Sequence, residues 1–153
     1  MQEAFNAITN TRVPVIACIS GYCLGGAIDM ISACDMVFTD TSSVFGIKEI
    51  AIGMVPDLGT LSRLTYNCPN TSLLAELVYT GRDFGSHTAK EIGMVSKVFD
   101  NRQEMLKYVN SLTQNIGSFS PAAVVAIKKT LMFHKGNVKK KNTRNQVLIL
   151  LKI

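Results

Sequence analysis

The chain has 153 residues, of which 47% are hydrophobic and 18% are charged, and its formal net charge is +5. This length and composition indicate one modest globular domain. Much of the positive charge lies near the end of the chain, in Lys139, Lys140, Lys141 and Arg144. The remainder is near neutral, which argues against a nucleic-acid-binding protein. No run of about 18 apolar residues is present, so the sequence predicts no membrane span.

Strands and helices alternate in the first half of the chain, and helices dominate the second half. Apolar β-branched runs predict the strands, and apolar residues spaced three and four apart predict the helices. After the end of a helix and a turn at 1–14, the predicted elements are a strand at 13–20, a helix at 25–34, strands at 35–40 and 43–49, a loop entering a helix at 52–64, helices at 72–80 and 86–93, a strand at 94–99, and helices at 101–118 and 120–135. Ser86 is the predicted N-cap of its helix. The order indicates an α/β protein with strand–helix crossovers.

The four cysteines, Cys18, Cys23, Cys34 and Cys68, form no CxxC pair, so the sequence predicts no metal site. Three of them lie in apolar stretches, where we expect them to pack as small hydrophobic residues rather than to react. Unpaired buried cysteines suit a reducing compartment.

The stretch "ISGYCLGGAIDM" (19–30) places three glycines between the first predicted strand and the first predicted helix after it. Taken alone, it favours a tight turn with close helix–sheet packing. A phosphate-binding loop is a weaker interpretation, because neither the GxGxxG spacing nor a following Lys-Ser/Thr is present. A third interpretation is an oxyanion hole, in which N–H groups at the helix start face a developing negative charge. Gly26 suits that role because a side chain there would block a carbonyl oxygen.

Three carboxylates lie within thirty residues of one another, each at the boundary of a predicted element and among apolar neighbours. They are Asp29 early in the helix, Glu49 at the end of a predicted strand, and Asp57 after Pro56 in a glycine-rich loop. Each alone is typical of a solvated surface acid. Together they could line one pocket, where crowding would raise the pKa of at least one carboxyl toward neutral pH.

Several long segments resemble the crotonase superfamily, whose members include enoyl-CoA hydratases and isomerases. The resemblance covers roughly residues 1–135 and is carried by "IACISGYCLGGAIDMISACDM" (16–36), "FGIKEIAIGMVPDLGTLSRL" (45–64), "ELVYTGRDFGSHTAKEIGMVSKVF" (76–99) and "SPAAVVAIKKTL" (120–131).

The resemblance implies an α/β fold, a partial spiral of ββα turns followed by a helical segment. The expected division is the C-terminal portion of the spiral core at 1–100, the helical segment at 101–135 and an atypical basic tail at 136–153. A full member of the superfamily is nearly twice as long. We therefore expect the rest of the spiral, with the second oxyanion donor and the CoA-binding loop, to precede residue 1, as in a truncated gene product.

Within the superfamily, the carboxylates discriminate between reactions. Aspartates at both Asp29 and Asp57, with Lys48-Glu49 between them, resemble the isomerases that convert 3,5-dienoyl-CoA to 2,4-dienoyl-CoA in the β-oxidation of unsaturated fatty acids. By this resemblance, Glu49 removes the proton from carbon 2 and Asp57 delivers one to carbon 6. The Gly26 N–H stabilises the thioester oxygen, and Asp29 orients or tunes the other two carboxyl groups.

Two alternatives remain open: a 2-enoyl-CoA hydratase, and an inactive crotonase-like fragment or scaffold. The resemblance implies an acyl-CoA thioester as substrate, no cofactor besides the coenzyme A that the substrate carries, and no metal. For the full-length protein it implies a homotrimer or hexamer in mitochondria or peroxisomes, without a nucleic-acid or membrane-spanning role. Lys128 and Lys129 could approach the CoA phosphates, but a solvated helix face is the favoured interpretation.

Overall fold

The structure is a computed structural model that describes residues 2–56 and 59–137, with the side chains of Gln2 and 134–137 left out. The helices are α1 Gln2–Asn10, α2 Gly26–Ser32, α3 Thr60–Asn67, α4 Thr71–Thr80, α5 Ser86–Glu91, α6 Arg102–Gly117 and α7 Pro121–Asn137. The strands are β1 Ile16–Ile19, β2 Tyr22–Leu24, β3 Met36–Asp40, β4 Val44–Gly46, β5 Phe84–Gly85 and β6 Lys97–Phe99. A 3-10 helix covers Glu49–Ile52.

Two small sheets organise the first hundred residues. The first has the order β1-β3-β6 with all strands parallel, and the second has the order β2-β4-β5, with β2 and β4 parallel and β5 antiparallel. On the first two passes the chain adds a strand to the first sheet, then a strand to the second, then a helical element. On the third it adds β5 to the second sheet, then α5, and then β6 to the first sheet. This arrangement confirms the α/β fold class and the partial ββα spiral.

Three predicted boundaries are wrong in detail. Two strands, not one, precede α2, because the chain leaves the first sheet at Gly21, whose φ is 82°, and adds β2 to the second. The strand predicted at 43–49 ends at Gly46, where its partner β2 also ends, so Glu49 begins a 3-10 helix instead of ending a strand. Gly85, not Ser86, is the N-cap of α5.

The turn between β3 and β4 is organised around the buried carboxylate of Asp40. The hydroxyl groups of Ser20, Ser42 and Ser43 donate hydrogen bonds to it, and the Ser42 N–H donates a further one at 3.0 Å. Burial raises the pKa of Asp40, but these hydrogen bonds outweigh it, and the net pKa lies below the usual value. The carboxylate therefore stays charged and joins the end of β1 to the crossing between the sheets.

The main core lies among the second sheet, one face of the first sheet and helices α2 to α5, and three of the four cysteines belong to it. Its most buried large side chains are Phe45, Ile28, Ile31, Ile47, Leu64, Leu77 and Ile92. Cys23, Cys34 and Cys68 are buried, and burial raises the pKa of Cys23 and of Cys68 to about 11. At neutral pH these buried thiols stay protonated, as expected of cysteines that pack as small hydrophobic residues.

The helices α6 and α7 follow the spiral and occupy the region predicted as a helical segment. Phe38 and Phe99 of the first sheet pack against Met105 and Val109 of α6 in a second apolar cluster. Over 2–56 and 59–137, no single helix is long and apolar enough to cross a membrane. Within these residues, only α6 and 121–133 taken together have the length and apolar composition of a membrane span, and they are bent by 109° with respect to each other.

Lys128 of α7 is 4% exposed and does not lie on a solvated helix face, so that expectation is wrong. Its ammonium group lies 2.9 Å from Asp35 Oδ2 and donates to Thr11 Oγ1 at 2.8 Å and to the Val13 carbonyl at 2.7 Å. The Val15 N–H also donates to Asp35 Oδ2, at 2.7 Å. The buried pair thus joins α7 to the approach to β1 and to the turn after α2.

We predict that Lys128→Met lowers the free energy of unfolding by about 3 kcal/mol, because it leaves the Asp35 carboxylate without its cation. Lys129→Met is the matched control: Lys129 is the exposed neighbour on the same helix, and its removal should change stability by less than about 0.5 kcal/mol. Urea unfolding of both variants measures the difference. Equal midpoints for the two variants would contradict this role of Lys128.

Candidate active site

The parallel strands β2 and β4 end at the same level, and this places two predicted site residues side by side. Leu24 and Gly46 are the last pair of the ladder, and the Gly25 N–H still donates to the Gly46 carbonyl at 2.9 Å. Beyond β2 the chain enters α2 at Gly26, and beyond β4 it reaches Glu49 after two residues. Ligand sites of α/β proteins commonly lie outside the carboxyl ends of parallel strands.

The Glu49 carboxylate lies against the glycine turn. Gly25 has φ 52° and ψ −122°, a backbone conformation that side chains rarely tolerate. A Cβ placed on Gly25 would lie 3.6 Å from Glu49 Oε1, so the carboxylate is in contact range of the turn. A Cβ placed on Gly26 would meet no atom of the described residues within 4 Å. As the first residue of α2, Gly26 has no intrahelical acceptor for its N–H.

Glu49 itself is half-buried, and its position at the start of the 3-10 helix is stabilised from the backbone. The Met54 N–H donates to the Glu49 carbonyl at 2.9 Å, and Gly53 ends the turn with φ 70°. Its Oε2 is buried and has no hydrogen-bond partner among the residues that the structure describes. A buried acceptor without a donor is costly. This is typical of a group that meets a ligand or a transferable proton.

The other two predicted carboxylates have different outcomes. Asp29 is 2% exposed and follows Gly25 by four residues, so it lies one turn along the same face of α2. Asp57 lies outside the described residues, and its place in the site stays a prediction. The expected rise in the pKa of one carboxyl in the three-acid cluster also stays a prediction.

Thr60 is a buried polar residue that the sequence analysis did not select. It is 1% exposed at the start of α3, and its Oγ1 has no hydrogen-bond partner in the described part of the chain. Leu64, one turn later on the same face, belongs to the main core, and α3 packs against α2. The hydroxyl therefore points inward. Its only sequence signal is its position in "PDLGT", which is also typical of an ordinary helix start.

Comparison with known proteins identifies the family. The sequence model of a family described as enoyl-CoA hydratase/isomerase matches residues 1–150. The chain belongs to this family. The match extends past residue 135, where the motifs indicated that the resemblance ends, and so includes most of the segment that we expected to be an atypical tail.

Two relatives within the enoyl-CoA hydratase/isomerase family are delta(3,5)-delta(2,4)-dienoyl-CoA isomerases. The peroxisomal protein of Arabidopsis thaliana is 42% identical over 132 residues, which are 86% of this chain and 47% of the relative. The mitochondrial protein of Homo sapiens is 38% identical over 134 residues, which are 88% of this chain and 41% of the relative. The chain thus spans less than half the length of these relatives.

The fold is similar to that of solved family members. The crystal structure of enoyl-CoA hydratase from Bacillus halodurans superposes with a TM-score of 0.80 at 26% identity, over 90% of this chain and 53% of that one. The similarity thus takes in most of this chain and about half of that one. The partial spiral of this chain is therefore a family feature.

We predict that Thr60→Val raises the free energy of unfolding by about 1 kcal/mol, because it removes a buried hydroxyl that lacks a partner while keeping the shape of the side chain. Thr65→Val is the matched control on the same helix. The Thr65 hydroxyl is exposed and donates to the Leu61 carbonyl at 2.7 Å, so this variant should gain no stability. Urea unfolding compares them, and a Thr60 variant less stable than the control would contradict the prediction.

Proposed function

We propose that this chain carries catalytic groups of an isomerase that converts 3,5-dienoyl-CoA thioesters to 2,4-dienoyl-CoA thioesters. The observation that supports it best is the proximity of the Glu49 carboxylate to Gly25, on which an added Cβ would lie 3.6 Å from Glu49 Oε1. Gly25 is the residue before Gly26, the proposed N–H donor. The names of the two isomerase relatives support the choice of substrate.

The first step in this proposal is removal of a proton from carbon 2 by Glu49. That proton is acidic because it lies next to the thioester carbonyl and to a double bond, so the electron pair left behind spreads through the diene onto the thioester oxygen. The Gly26 N–H donates to this oxygen as its negative charge grows. We assign the stabilisation to this N–H group itself, since α2 has only seven residues.

The second step delivers a proton to carbon 6. Asp57 is the proposed acid, as the resemblance implies, and Asp29 orients or tunes the carboxyl groups from the adjacent face of α2. One proton leaves carbon 2, one arrives at carbon 6, and the two double bonds each move by one position, so the product is an isomer of the substrate. Two carboxylates suit this reaction because the two carbons are too far apart for one.

The proposal also covers the cofactor requirement, the compartment and the assembly of the protein. The substrate brings its own coenzyme A, and the chemistry needs no further cofactor or metal. The relatives are named as peroxisomal and mitochondrial proteins, and we propose one of these compartments for this protein too. A homotrimer or hexamer of the full-length protein remains part of the proposal.

Hydration of a 2-enoyl-CoA is the main competing activity, because Glu49 and Gly26 would serve that reaction as well. An inactive scaffold is the other alternative, and the share of the relatives' length that this chain spans keeps it open. The three possibilities predict different reactions with two thioesters, 3,5-octadienoyl-CoA and crotonyl-CoA.

We expect the chain to convert 3,5-octadienoyl-CoA to the conjugated 2,4-dienoyl thioester and to hydrate crotonyl-CoA poorly. The ultraviolet absorbance of the conjugated thioester measures the isomerisation. Glu49→Gln should lower the rate by about 100- to 10,000-fold, the usual contribution of a positioned acid or base. Glu91→Gln, an exposed glutamate of α5, should keep the parent rate. Hydration without conjugation would overturn the isomerase proposal in favour of the hydratase, and no turnover of either thioester would favour the scaffold.

Gly26→Ala tests the oxyanion role separately from stability. The added methyl group meets no atom of the described protein within 4 Å, and alanine is favoured over glycine in a helix by up to about 1 kcal/mol. We therefore expect an unchanged or slightly higher melting temperature together with a large loss of isomerisation. A variant that keeps the parent rate would exclude Gly26 as the oxygen-binding position.

A further inference from the structure

We propose that Lys48 is a positioning residue for Glu49 and that the turn at residues 81–83, between α4 and β5, is the support on which it acts. This inference rests on the proposed role of Glu49 as the base. It concerns how the carboxylate is held, which neither the family match nor the names of the relatives address.

The carboxylate of Glu49 is not held by hydrogen bonds to its buried oxygen. Oε2 has no donor among the residues that the structure describes. Oε1 lies 3.6 Å from the position that a Cβ on Gly25 would occupy. The place of the carboxylate must therefore depend largely on the backbone that carries it. Whatever fixes the residues on either side of Glu49 also fixes the base.

Lys48, the residue before Glu49, is attached to the 81–83 turn by two contacts. Its ammonium group donates to the Gly81 carbonyl at 2.8 Å and lies 2.7 Å from Asp83 Oδ1. Its own carbonyl accepts the hydrogen bond from the Ala51 N–H at 3.0 Å, which forms the first turn of the 3-10 helix. Lys48 thus connects the start of that turn to the end of α4.

Ile50, the residue after Glu49, packs against the same glycine. A Cβ placed on Gly81 would lie 2.9 Å from Ile50 Cγ2, so only the absence of a side chain permits this approach. Gly81 ends α4 with φ 60°, which also favours glycine. Both neighbours of Glu49 therefore contact one residue, and a shift of the 81–83 turn would move the base.

The Lys48–Asp83 pair also closes over the end of β4. A Cβ placed on Gly46 would lie 2.8 Å from Asp83 Oδ1 and 2.8 Å from Lys48 Cε. The two side chains are 35% and 53% exposed, and exposed ion pairs contribute only about 0–1 kcal/mol to stability. We therefore assign to this pair the role of fixing the position of the chain beyond β4, and not a role in the stability of the fold.

The same turn supplies a matched control. Arg82, between the two residues that contact Lys48, pairs instead with Glu76 of α4 at 2.8 Å, and both side chains are similarly exposed. Arg82→Met removes an ion pair of the same kind from the same turn without touching residues 48–50. It should leave the isomerisation rate unchanged.

We expect Lys48→Met to lower kcat for 3,5-octadienoyl-CoA by about 10- to 100-fold, the size of effect that follows from a small displacement of a reacting group. KM should change less than about threefold and the urea midpoint should match that of Arg82→Met. Lys48→Arg, which can still reach the Gly81 carbonyl and Asp83, should recover most of the rate. Equal kcat values for Lys48→Met and Arg82→Met would overturn the inference.

A second measurement does not depend on turnover. Amide hydrogen exchange at Ala51 and Met54, whose N–H groups donate to the carbonyls of Lys48 and Glu49, should become faster in Lys48→Met and not in Arg82→Met. If the parent chain is inactive, the proposed function fails, and exchange still decides whether Lys48 holds this turn. Unchanged exchange in Lys48→Met overturns the positioning role whatever the activity.

Discussion

The candidate site depends on one constraint, the parallel pairing of β2 with β4 and the common level at which the two strands end. Leu24 and Gly46 form the last pair of the ladder. From that level the chain turns on one side into α2 and on the other into the 3-10 helix that carries Glu49. Neither element could be displaced along its strand by one residue without separating the carboxylate from the glycine turn, because the register of a buried sheet is strongly specified.

Much of the fold could be predicted from the sequence, because its helices are long and periodic enough to be recognised. The helices from residue 71 onward and the strands around 16–19 and 36–40 are predicted from apolar patterns together with helix-end signals such as Gly81 and Ser120-Pro121. β2 could not be predicted, because three residues inside a glycine-rich stretch are too few to show a period in hydrophobicity. Glu49 was therefore assigned to the end of a strand, although its strand ends three residues earlier.

The roles of the candidate site residues are predicted from the resemblance and not from spacing. Glu49 and the glycine turn lie on different elements whose packing no single sequence reveals, and their proximity becomes visible only when β2 and β4 are paired. Long-range contacts were the least predictable feature. The partner of Lys48 at Gly81 is 33 residues away, and Lys128 looks like any other lysine of a helix until Asp35, on another element, is placed beside it.

The contact between Lys128 and Thr11 spans 117 residues of chain. During synthesis, the spiral can assemble strand by strand as it emerges, since each pass pairs with the one before it. The Asp35 carboxylate, in contrast, waits for its cation until nearly the whole described chain has been made. Closing such a long loop is slow compared with the local pairing steps. Docking of α7 is thus the event that completes the described part of the fold.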